Sequence, residues 1–200
     1  CAQLDAAALR ALADAGALLA LAGHRRQAYW AAAAGRLSGG LLGQTRIDEA
    51  PVALAAPTEG EDIVADYRSL GIPMGRHPLA LLRAQLDRLR IEPASVLASH
   101  PEGRIARACG LVTHRQRPET ARGTMFVTLE DDTGTVNVIV WPAVFERFRA
   151  AVLGAQLMSV YGHWQRQEHG GGTVSHLVAA RIIDHSALLG ALVNRSRDFR

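Results

Sequence analysis

Arg115, Arg117 and Arg122 lie within eight residues of one another. A guanidinium is a flat fork of donors that can meet a phosphate at two oxygens at once. Three in one short stretch therefore point to a phosphate-bearing ligand; the plainer reading is an ordinary solvated loop. Just downstream, Phe126 and Thr128 alternate with Val127 and Leu129, and Asn137 and Ile139 alternate with Val136, Val138 and Val140. Those four residues share the face opposite the valines. Stacking needs only an exposed π-face, so Phe126 can hold a base, or instead pack under the arginine loop. Arg166, placed in a later hairpin, is a weaker candidate that fits surface decoration.

Other chemistries fare worse. Two-metal phosphoryl transfer needs carboxylates converging on one point, and no such set is found. Asp131 and Asp132 are adjacent but sit in a turn, where solvated acids are expected. His163, His169, His176 and His185 follow no metal-ligand spacing, and no cysteine joins them. His77 before Pro78 reads as a helix-entry residue, and no nucleophile elbow is present. Trp141-Pro142 reads as a strand end packed into a core, while Trp164 is open to either reading. Arg25-Arg26 fits a solvated helix start or a contact to duplex phosphate.

The elements that must position these side chains follow from periodicity. Residues 124–141 show two period-two runs around Asp132-Thr133-Gly134, the pattern of a tight hairpin. Strand one spans 104–114, with Gly110 a bulge, and the first loop is 115–123. A helix covers 142–153, with Val144, Phe145, Phe148 and Val152 apolar. Strand four spans 155–165, the Gly170-Gly171-Gly172 hairpin follows, and strand five spans 173–184. Five strands with a helix between the third and fourth is the order of a Greek-key barrel of the OB type, which commonly binds single-stranded nucleic acid. A short helix at 186–193 and a frayed basic end at 194–200 complete the chain. The fold class is α+β: a helical N-terminal region (1–36), a Gly/Pro linker (37–57), a helical segment (58–100), the five-stranded barrel (101–187) and a tail (188–200).

The chain has 200 residues and a net charge of +3, so it is no polycation. All 22 basic residues are arginine, for which genome base composition is the plain explanation. Residues 101–200 hold twelve arginines against nine acids. Cys1 and Cys109 form no disulfide framework, which fits a reducing cytoplasm. No apolar run is long enough to span a bilayer. A first residue of Cys fits a fragment of a longer chain better than a lipidated start, because a helix begins at once.

Several stretches, taken in order, resemble the bacterial C-family DNA polymerases, the family of the DNA polymerase III alpha subunit, and its error-prone branch in particular. They are Asp66-Tyr67 with Gly71, His77-Pro78-Leu79, Gln116-Arg117-Pro118, Gly123–Glu130, Asp131-Asp132-Thr133-Gly134, Val140-Trp141-Pro142 and Arg197-Asp198-Phe199. Leu4–Gly23 with His24–Ala28 resembles the region after that family's tandem helix-hairpin-helix motif. The resemblance implies the C-terminal part of an error-prone polymerase active in damage-induced mutagenesis. It implies a magnesium-dependent active site far upstream, and no catalytic residue or cofactor in this part. The barrel would hold single-stranded template DNA, and the sliding clamp and accessory mutagenesis proteins would be partners. Two rivals are a stand-alone RNA- or tRNA-binding barrel and a protein–protein adaptor.

Overall fold

A computed structural model describes residues 4–34, 52–169, 172–194 and 196–199. The chain divides into two compact units, Cys1–Met74 and Gly75–Arg200. The expected linker over 37–57 lies outside the described residues as far as position 51.

In the first unit, α1 (Ala6–Asp14) starts at Asp5, whose carboxylate accepts from Ala8 N at 2.7 Å. A short α2 (Leu19–Ala22) follows a break at Gly16, which is left-handed at φ 76°, and α3 (Arg25–Ala34) packs back on α1. Their contact is a small core of Ala13, Ala28 and Ala32, flanked by Leu9 and Leu18. Residues 52–55 run along α3, where Gln27 donates to Val52 O and accepts from Leu54 N. Helix α4 (Glu59–Ser69) opens on a capping box between Thr58 and Glu61. Buried Asp66 accepts from Arg25 and from Met74 N at 2.8 Å. The Gly71 amide closes α4 onto Asp66 O and Tyr67 O. The Asp66-Tyr67 and Gly71 pattern is thus a device for ending a helix and anchoring an arginine. Arg25 is neither solvated nor free for phosphate: it is 9% exposed and pairs with Asp62 and Asp66.

In the second unit, His77 caps α5 (Pro78–Arg88), its Nδ1 accepting from Leu79 N, and Pro78 fills the first helical position. After α6 (Ala94–Leu97) come β1 (Ile105–Gln116), β2 (Met125–Asp131), β3 (Gly134–Val140), α7 (Pro142–Arg147), α8 (Arg149–Gly154), β4 (Leu157–His169) and β5 (Gly172–Asp184). A last strand, β6 (Arg197–Phe199), was not expected. Strand order is β2-β3-β5-β4-β1-β6, and β2 also pairs with β1, which closes the five-stranded barrel. Its interior holds Val127, Leu129, Val138, Val160, Trp164 and Leu177, and Phe145 and Val152 from the helices belong to the same buried core.

Three details depart from the expectation. The register shift in β1 falls between Val112 and His114, not at Gly110. Gly110 is required for another reason: a Cβ there would lie 2.8 Å from the backbone N and O of Glu130. The segment 197–199 is no frayed end, since it pairs parallel to β1 at His114, Arg115 and Gln116. Asp131 is not a solvated turn acid, being 7% exposed.

Candidate nucleic-acid interface

Alternation and register build one outward face on β2 and β3. Phe126 pairs with Ile139 and Thr128 with Asn137, while Val127, Leu129, Val136, Val138 and Val140 point inward and are buried. Phe126, Thr128 and Ile139 are half-buried and Asn137 is exposed. The Thr128 hydroxyl donates to Asn137 Oδ1 at 3.3 Å. On β1, Gln116 stands beside Phe126 and His114 beside Thr128. On β5, Val178 stands beside Ile139. The face thus offers an apolar row, Phe126–Ile139–Val178, next to a polar one.

Trp141 extends the alternation of Asn137 and Ile139 and is 51% exposed. The expectation of core packing there is corrected: the backbone leaves β3 extended before α7 begins, so the indole stays outside. The buried tryptophan is Trp164, at 3%. Period two carried one residue past the strand end is the signal that would have found Trp141.

The arginine loop separates its three members. Arg117 is exposed and lies with Cζ 4.8 Å from the Phe145 ring centroid. Arg122 is exposed and left-handed at φ 49°. Gly123 passes against Pro142, where an added Cβ would touch Cγ at 3.6 Å, so this loop adjoins the Trp141 end of β3. Arg115 is different, and its assignment to a phosphate-binding loop is corrected. It lies within β1, is 7% exposed, and donates to Val152 O at 2.7 Å, Ala155 O and Ser196 Oγ. The β1 register shift swaps inward and outward positions, which turns Arg115 toward α8 and β6. Arg166 also moves: it belongs to β4 rather than a hairpin tip, and pairs in register with Ser175. It alternates in phase with Trp164 rather than with the face of Phe126, yet is itself exposed, and it donates to His100 O at 3.4 Å.

Asp131 anchors the hairpin behind this face. Oδ1 accepts from Thr133 N (2.7 Å), Thr133 Oγ1 (2.8 Å) and Gly134 N (2.9 Å). Oδ2 accepts from Ala94 N (2.8 Å) and Arg83 Nη2 (3.2 Å). Burial opposes its ionisation, but these donors outweigh burial and hold its carboxyl below the ordinary aspartate value. Asp132 pairs with Arg83 as well. The two acids do not fit a magnesium site, because protein donors occupy both Asp131 oxygens. Among the described residues no group of three His, Cys, Asp or Glu side chains could hold a metal ion. No helix among them is long and apolar enough to cross a membrane.

Residues 106–182 match the family of OB-fold nucleic acid binding domains. The chain is 56% identical over 199 residues to an error-prone DNA polymerase of Aromatoleum aromaticum. It is 52% identical over 201 residues to one of Ralstonia nicotianae. The chain is homologous to a section of the error-prone DNA polymerases. These matches cover 100% and 99% of the chain and 18% of each polymerase. A third, from Bordetella parapertussis, is 53% identical and covers 96% of the chain and 18% of the polymerase. Among solved structures, asparaginyl-tRNA synthetase from Pyrococcus horikoshii overlaps 41% of this chain and 20% of its own, at 23% identity and a TM-score of 0.34. An overlap of that extent says nothing about what this barrel binds.

Proposed function

We propose that this chain is the C-terminal part of an error-prone DNA-directed DNA polymerase, and that its barrel holds single-stranded template DNA. The observation that carries the reading is identity above 50% to such polymerases along nearly the whole chain. The strand lies on the β2–β3 face. Phe126, Ile139 and Trp141 meet bases, Thr128 and Asn137 meet polar edges or sugars, and Arg117 and Arg122 meet phosphates. Binding of this kind is nearly blind to sequence and weakens with salt. Nucleotidyl transfer, with its magnesium ions and their carboxylates, belongs to other parts of the polymerase. The parent enzyme works in the cytoplasm in damage-induced translesion synthesis, DNA repair and mutagenesis, alongside the sliding clamp and accessory mutagenesis proteins.

Photo-crosslinking tests the placement. A template overhang carrying 5-iododeoxyuridine, bound to the polymerase that contains this chain, should crosslink to peptides holding Phe126 or Trp141. Crosslinks that spare residues 115–141, at saturating template, would overturn it.

A further inference from the structure

The outer surface of β1, β4 and β5 carries a second set of arginines, away from Arg117 and Arg122. Arg107 on β1 stands opposite Tyr161 on β4, and Tyr161 stands opposite Arg181 on β5. The guanidinium carbons lie 5.3 Å and 5.9 Å from the Tyr161 ring centroid. Arg107 Nη1 gives one long hydrogen bond, 3.4 Å, to Leu89 O. Among the described residues neither arginine pairs with a carboxylate. Glu92, whose amide donates to Arg107 O, lies with its carboxylate oxygens 3.4 Å from His100 and 3.8 Å from Arg104.

Asp87 and Glu92 share the hollow that Ile105 and Arg107 line at one edge; away from that edge the surface suits the same kind of ligand. The neighbouring row in register is Ile105, His163 and Val178, and the next pairs Gln165 with His176. Ile105 is 69% exposed, and His163, Gln165 and Arg181 are exposed. No acid stands at the outward positions from Tyr161 to Gln165 or from His176 to Arg181. Two like charges across one ring repel, and the ring's negative face offsets only part of that. An anion lying along the strands relieves the remainder. The surface is an open sheet, which fits an extended chain of phosphates better than a small enclosed anion.

We infer that the β1–β4–β5 surface is a second phosphodiester contact. A strand leaving the β2–β3 face continues onto it across the Ile139–Val178 pair, with Arg107 and Arg181 meeting its phosphates. The inference rests on the proposed single-strand binding and adds a path to it.

The test uses the whole 200-residue chain with oligo-dT of about 6 and about 16 nucleotides, lengths within the range one such barrel covers. R107Q/R181Q should bind the short strand as the parent does and the long strand about tenfold more weakly, with the salt slope for the long strand shallower by about 1.4. R107K/R181K should keep the parental slope, which separates charge from packing. An unchanged long-strand affinity and slope in R107Q/R181Q, with R117Q/R122Q weakened, would overturn this inference and leave the single-strand reading standing. Absence of binding to either strand at low salt would overturn both.

Discussion

At the scale of single residues, one buried carboxylate holds more of the second unit together than its position in a turn suggests. Asp131 gathers the β2–β3 turn, the start of α6 and Arg83 of α5 on two oxygens. Asp131→Asn removes the charge and turns one of the two acceptor oxygens into an NH2 that faces either the Ala94 amide and Arg83 or the Thr133 and Gly134 amides, so we expect a loss of about 3 kcal/mol in denaturant unfolding. Because its folded pKa lies below the ordinary value, the unfolded chain takes up this proton first as pH falls. Its contribution is therefore present above the ordinary aspartate range and lost as pH drops through the lower folded value. His77 acts earlier in the same titration. Burial lowers its pKa against the pull of Glu130, Asp132 and Asp131, so its stabilisation starts to fall as pH drops below about 6.5. His77→Asn keeps a capping acceptor and should remove that upper window from a pH series of melting temperatures while leaving the lower one. Trp141→Ala should leave stability nearly unchanged and weaken oligo-dT binding by about 1–3 kcal/mol, read by fluorescence anisotropy. Side-chain type alone did not separate Trp141 from Trp164. Both are tryptophans in period-two runs, and only their place relative to the strands decides which is outside.

At the scale of elements, the alternating runs of β2 and β3 are legible because valines on one side and mixed side chains on the other mark a half-buried hairpin. β6 is not, since three residues, Arg197-Asp198-Phe199, carry no period and pair only through a strand distant in sequence. The burial of Arg115 follows from two such non-local facts, the register shift in β1 and the arrival of β6. A run of three nearby arginines therefore reads as one patch in sequence and as two different devices in space. Arg115→Ala should lower the melting temperature by several degrees, as expected for about 2 kcal/mol in a chain of this size, without changing the salt slope of DNA binding. Arg117→Gln with Arg122→Gln should do the reverse. The β4–β5 pairing has its own requirement at Gly162, where a Cβ would fall 1.9 Å from Val178 O. Gly162→Ala should cost several kcal/mol, because the obstacle is backbone at a register shift rather than a movable side chain.

At the scale of the whole molecule, charge and architecture point the same way. A net charge of +3 leaves binding to depend on where arginines stand, not on a general positive field. Within the second unit Arg117 and Arg122 stand on the loop beside β2–β3 and Arg107 and Arg181 on the β1–β4–β5 surface, while Arg83 and Arg115 are used internally and Arg88, Arg90, Arg104, Arg147 and Arg149 are exposed elsewhere. Single-strand holding by the barrel is measured most directly by the affinity of the chain for oligo-dT, duplex DNA and an RNA hairpin across a salt series. A strand held on the β2–β3 face should give tightest binding to oligo-dT, a linear fall of log affinity with log salt, and a clear loss on Phe126→Ala with Trp141→Ala. Preference for the RNA hairpin, or affinity for oligo-dT that those two changes leave untouched, would contradict it.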